Sequence, residues 1–262
     1  MLGAFSSEWR KLRRRSMLVW GVGGGLLCSV FATALTIERT RRTFPPGAGA
    51  RFHVTIAQLS RPDGFVHGVL TASNLIGIVS LCLFAGAVAI EYSQGTLRIL
   101  LVCQPRRGQL LTGKFLALAA FVGIAIALAV SVAAGVAFAL GPSKGINTSP
   151  WTTGAGLDDL GQTILHVYLA SVGYGILGTA LAILLRSSAL AITIGVAYAL
   201  PGEAIISRFW SSGDRWLPGQ LLSALAHGGT TTASYTRALV ILSIYATVVA
   251  AGTLVIFGRR DV

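Results

Sequence analysis

The segment Gly108-Gln109-Leu110-Leu111-Thr112-Gly113-Lys114-Phe115 comes within one residue of a phosphate-binding loop. Such a loop needs Ser or Thr after the lysine to hold magnesium, and a strand ahead of it. Here Phe115 stands at the magnesium position and an apolar helical run lies upstream. The segment is therefore rejected as an ATP site, and any ATP must be bound by a partner. His53, His67, His166 and His227 show no metal-ligand spacing. Cys28, Cys82 and Cys103 are odd in number and scattered, as packing residues are, and make neither a disulfide framework nor a zinc site. No paired carboxylates or nucleophile–base set stands out, so covalent catalysis by this chain is not expected.

Polar residues within apolar runs carry a different kind of chemistry. Glu203 follows a Pro201-Gly202 interruption inside such a run. A carboxylate at membrane depth is costly and marks a functional site by default. The structural alternative is a helix-end residue reaching water, paired with Arg208. His67, Thr71 and Asn74 fall at i, i+4 and i+7, on one helical face. Gln162 and His166 stack one turn apart on another helix. Both sets are candidates for lining an outer vestibule. Interhelical hydrogen bonding, about 0.6–2 kcal/mol per contact, is the simpler account, because nothing here selects a substrate.

The elements that must position these residues are membrane spans. The chain is 53% hydrophobic and 11% charged, against roughly a quarter charged in soluble domains. Apolar blocks of about 20 residues, enough to cross the hydrocarbon core as helices, recur along it. Six spans are expected: Ser16–Ile37, Phe65–Ile90, Phe115–Leu140, Gly161–Leu185, Ser187–Ile206 and Ala238–Phe257. The fold class is all-α and polytopic, one membrane domain over 16–262 with no room for a soluble catalytic domain. A cleaved leader ending at Ala32-Thr33-Ala34 is disfavoured, since the first run is long enough to span. Residues 1–15 place Leu2, Phe5, Trp9 and Leu12 at helical spacing among arginines, which predicts an amphipathic helix in the headgroup layer.

A formal net charge of +12 would suggest nucleic acid in a soluble protein. Here the charges flank apolar blocks without an aromatic-interleaved stripe, so anionic lipid headgroups are the expected partner and nucleic acid is not. The Lys/Arg bias weakly favours cytoplasmic N- and C-termini, with Arg98, Arg106, Arg107, Lys114 and Arg186 inside and Arg39, Arg41, Arg42 and Arg51 outside. Trp20, Trp151, Trp210 and Trp216 sit near predicted boundaries, as interfacial tryptophans do. The glycines Gly21 to Gly25, and Gly173, Gly175 and Gly178, suit close helix packing.

The stretch after the second span combines Glu91, Gly95-Thr96-Leu97-Arg98, Leu100-Leu101, Pro105-Arg106-Arg107 and Gly113-Lys114. Glu91 lies where a carboxylate favours the start of a short helix through its dipole, and Gly95 permits a sharp turn. Leu97, Leu100 and Leu101 supply an apolar edge, and Arg98, Arg106 and Arg107 supply charge. An amphipathic loop helix resting on lipid would look the same. This order of residues resembles the type-2 permease family of ATP-binding-cassette exporters. Glu8-Trp9-Arg10-Lys11-Leu12 resembles that family's N-terminal segment, and Arg259-Arg260-Asp261 its C-terminal ending. Pro105 falls one position late relative to Arg107.

The resemblance covers nearly the whole chain and implies a function. The chain would be the membrane-spanning permease subunit of an exporter in the cytoplasmic membrane. It would pair with a second permease copy or a homologous permease and with two ATP-binding-cassette subunits, which would hold ATP and magnesium; this chain would hold no cofactor. Residues 91–112 would be the cytoplasmic coupling segment, and 203–236 an outer region of short re-entrant helices, with Leu217-Pro218-Gly219-Gln220-Leu221-Leu222 too short to cross. The alternative is a membrane scaffold or sensor subunit that docks an ATPase without transporting.

Overall fold

The computed structural model describes the backbone of residues 7, 9–12, 17–40, 54–93, 107–210 and 212–259, and the side chains of the same set except 20, 91–93, 107–111, 214 and 253–259. Among the described residues, six helices are long and apolar enough to cross a membrane: Gly21–Arg39, Gly64–Ile90, Thr112–Leu140, Gly154–Leu185, Ser188–Phe209 and Tyr235–Gly252. They match the six expected runs, and the chain is a multi-pass membrane protein. The helical solution follows from the solvent: in hydrocarbon every backbone N–H and C=O must be satisfied within its own segment.

The second span is the centre of the bundle. In its most apolar stretch 61% of residues are buried, against 6% in the sixth span, which lies at the rim. The second and fourth spans form the most extensive helix pair. Small residues set how closely they approach. A Cβ on Gly77 would enter the Tyr174 ring, one on Gly175 the Phe84 ring, and one on Gly178 the main-chain carbonyl of Leu81. Ser80 Oγ donates across this seam to Ser171 O at 2.8 Å. The first span packs on the second where Gly68 meets Thr33, and on the third where Gly21 meets Phe121. Its hydroxyls are satisfied within the helix: Ser29 donates to Gly25 O and Thr33 to Ser29 O. The close-packing reading of the glycines therefore holds at Gly21, Gly175 and Gly178, while an added Cβ at Gly23 or Gly25 would meet open space.

The end of the bundle that carries residues 54–66 and 141–153 is capped by protein. Thr55 and Gln58 form a reciprocal cap on the short helix Ile56–Leu59. Trp151 Nε1 donates to Leu59 O at 2.8 Å, and its ring meets Phe65 and Phe138. Lys144 pairs with Glu38 at the same end. Trp151 is 2% exposed. It belongs to this cluster and not to the membrane interface, because its indole N–H finds a carbonyl inside the protein. Trp210 and Trp216 are exposed, as interfacial residues should be.

Of residues 1–15, Trp9–Leu12 are helical. Leu12 is buried and Trp9 packs against the same core as Phe84 and Val122. The remainder of that helix, apart from Ser7, lies outside the described residues.

Candidate functional site

The fifth span does not break at Pro201-Gly202. It runs as helix from Ser188 to Ala197, takes a π-helical turn over Tyr198–Gly202 with Pro201 inside, and resumes at Glu203–Phe209. Proline removes one backbone donor and crowds the preceding turn; the wider turn absorbs both. Glu203 therefore lies within the span, and the segment joining the fifth and sixth spans begins after Phe209.

That segment holds the half-helix Pro218–Ala226. Leu217, its N-cap residue, supplies no side-chain cap, and Pro218 at the first helical position has no N–H. The next donors, Gly219 N–H and Gln220 N–H, would be orphaned in the protein interior. Glu203 supplies what is missing. Its carboxylate accepts from Gly219 N at 2.6 Å and lies near Gln220 N–H and the Tyr198 hydroxyl. The side chain is 2% exposed. A carboxylate at a helix N-terminus gains both charge-assisted hydrogen bonds and the dipole of the helix. Position 219 must be glycine here, since a Cβ would lie 2.5–2.8 Å from the carboxylate atoms. The partner is thus a helix end, and Arg208, the expected partner, is exposed.

The half-helix dips deep into the bundle. Leu222 sits in the notch at Gly173, where a Cβ would strike it. Gly173 lies about 18 Å along the fourth span from Gly161, at 1.5 Å per residue. Leu221, Leu222, Leu225 and Ala226 are buried. Beneath its first turn is a half-open recess of about 300 Å³ lined by Leu81, Tyr174, Leu177, Ile194, Tyr198 and Pro218. Gly195 lets the fifth span close on Leu81 beside it.

Both flanks of the half-helix are clamped to the fourth and sixth spans. The His166 and Tyr235 rings lie 4.8 Å apart, beside the turn at Gly228. The Arg237 guanidinium stands 5.6 Å over the Trp216 ring, and Tyr245 Oη donates to Trp216 O at 3.2 Å.

The other expected site residues are placed as follows. Glu91 is in the last turn of the helix His67–Ser93, and Arg107 opens the helix Arg107–Leu140. Gly95, Thr96, Leu97, Arg98, Leu100, Leu101 and Arg106 lie outside the described residues. Lys114, next in that motif, is 3% exposed. At the opposite end, His67 Nδ1 lies 3.0 Å from Asp63 O, and Thr71 donates to His67 O. Thr71 and Asn74 are exposed on the second span, whereas His166 is half-buried under Tyr235, so the two sets have different surroundings. Sequence reasoning missed Tyr198 and Gly219. The available signal was a Pro-Gly helix start with leucine where Ser, Thr, Asp or Asn would cap it; such a start needs an acceptor from elsewhere in the chain.

A family model described as a protein of unknown function (DUF2705) matches residues 26–262, which takes in all but the start of the first span and the other five, and the chain belongs to that family. No curated protein matches the chain.

Proposed function

We propose that this DUF2705 member is the membrane-spanning permease subunit of an ATP-binding-cassette exporter, moving a substrate across the cytoplasmic membrane with ATP hydrolysed by a separate subunit. The observation that carries the reading is the half-helix Pro218–Ala226, set between the fifth and sixth spans and held inside the bundle by a carboxylate. Short re-entrant helices at this place are what the resemblance to type-2 permeases implies. An element whose first turn is hydrogen-bonded to a neighbouring span is suited to move with that span. Closure and opening of the outer end would then follow the fifth span as a rigid-body switch of the kind packed helices support.

On this reading the termini and the segment Glu91–Arg107 face the cytoplasm. The segment seats in a groove of the ATP-binding subunit, with Leu97, Leu100 and Leu101 as apolar anchors. Two ATP-binding subunits and a second permease complete the assembly, and ATP and magnesium stay on the partner. Tight interfaces depend on a few buried anchors. Leu97→Ala combined with Leu100→Ala should therefore reduce co-purification of the ATPase at least about tenfold, the equivalent of roughly 1.4 kcal/mol, or uncouple hydrolysis from export. Membrane insertion should be unchanged. Wild-type co-purification and wild-type transport in vesicles for that double variant would refute the docking assignment. A scaffold subunit would instead lose binding with no transport to lose in the wild type.

A further inference from the structure

The recess beneath the half-helix has a chemistry of its own. Its walls come from the second, fourth and fifth spans and its roof from Pro218 and Gly219. The lining is aliphatic apart from Tyr174 and Tyr198. The nearby carboxylate of Glu203 is buried and accepts from Gly219 N, and no charged residue lines the recess. A half-open apolar recess between membrane spans offers no hydrogen-bond partner to water and is open to hydrocarbon. A volume of about 300 Å³ is at the lower end of the range for small-molecule sites.

Depth and charge identify the guest. Along the fourth span the lining runs from Tyr174 beneath the roof to Leu181, about 10 Å at 1.5 Å per residue. About 8 Å further along, by the same rise, the helix ends at Arg186, an exposed residue in the left-handed conformation. An aliphatic guest lying parallel to the spans with its tail under the roof has its other end at the depth of Arg186. We infer that the recess holds one acyl chain of an anionic phospholipid from the leaflet on the Arg186 side, with its headgroup on Arg186 and the half-helix Pro218–Ala226 as the stop for its tail. This site does not rest on the permease reading, because it concerns the isolated chain in a bilayer.

The test uses the full chain in phosphatidylcholine vesicles containing a trace of phosphatidylglycerol with a photoreactive group near the end of one acyl chain. A parallel set carries the same chain on phosphatidylcholine. Adducts are mapped by mass spectrometry. Phosphatidylglycerol should label Leu177, Ala180, Leu181 and Ile194 about fivefold more than phosphatidylcholine does, the equivalent of one surface arginine acting on an anionic headgroup. Exposed Val240, Ile244 and Val248 of the sixth span should show no such preference. Arg186→Gln should bring the two lipids to one level. Ala180→Phe and, independently, Ile194→Trp should remove labelling of the recess and leave Val248 unchanged. Equal labelling of recess and rim by both lipids would overturn the site, as would insensitivity to both filling variants. Cross-links from recess residues to a second copy of the chain would also overturn it, by showing that protein fills the space.

Discussion

Replacing Glu203 by alanine should release the half-helix Pro218–Ala226 from the fifth span. The variant removes the acceptor of Gly219 N–H and the carboxylate near Gln220 N–H. Loss of an ordinary cap costs about 0.5–2 kcal/mol. Here the donors are buried, and each buried donor left unpaired costs about 1–3 kcal/mol. A total near 3 kcal/mol is therefore expected, offset in part by no longer burying a carboxylate. Glu203→Gln keeps one acceptor oxygen and should lose roughly half as much. Gly219→Ala pushes its Cβ against the carboxylate and should resemble Glu203→Ala, although it leaves the acid in place. The assay is thiol accessibility of Leu222→Cys, buried in the wild type, in a background lacking Cys28, Cys82 and Cys103, alongside unfolding in detergent. Accessibility should rise in the order wild type, Glu203→Gln, then Glu203→Ala with Gly219→Ala. Export should fall in the same order while insertion persists. Equal protection of Leu222→Cys in wild type and Glu203→Ala would refute the cap.

Two more tests address the frame around the site. Cysteines placed at Arg106 and Arg41 should label from opposite sides of intact cells, Arg106 from the cytoplasm and Arg41 from outside; labelling from one side would contradict six spans with a cytoplasmic N-terminus. At the seam between the second and fourth spans, Gly178→Ala should destabilise by about 2–3 kcal/mol, because its Cβ meets the Leu81 main-chain carbonyl. Gly175→Ala, facing the Phe84 ring that can turn aside, should cost about 1 kcal/mol. Gly86→Ala, with no atom within 4 Å of its Cβ, should stay within about 0.5 kcal/mol of wild type; unfolding in detergent reads all three.

The spans were legible because the bilayer imposes a length and a polarity that any helix crossing it must show. The seam glycines were legible for a related reason: without a hydrophobic drive between helices, close approach depends on small side chains. Glu203 stood out as an unaffordable charge. Its partner did not, because the cap comes from residues 16 positions away and uses main-chain donors, which every sequence has and none advertises. Trp151 was misplaced for the opposite reason. A tryptophan near a span boundary has the same composition whether its N–H meets water or the carbonyl of Leu59, and only the folded loop decides. The segment 94–106, which carries most of the family resemblance, lies outside the described residues, so its placement still rests on sequence alone.

Burial divides the bundle into a firm part and a lighter one. The second, third and fourth spans have half or more of their most apolar stretches buried, against 17% in the fifth and 6% in the sixth. Opening in proteins is drawn from regions with few buried contacts, so the fifth and sixth spans are where motion is cheapest. What ties them to the rest is mostly specific: the Glu203 cap, the His166–Tyr235 contact and the Tyr245–Trp216 bond. Such links give two discrete arrangements more readily than a broad apolar seam does, because a hydrogen bond at membrane depth is either made or left costly. The half-helix is held by the fifth span at its first turn, by the sixth at both flanks, and by the fourth at the Gly173 notch and the far end. Displacing the fifth span must then either carry the half-helix out of the Gly173 notch or break the cap. On the proposed permease reading, the end of the bundle that holds the half-helix would switch between such alternatives, and Glu203 would be the residue on which that choice turns.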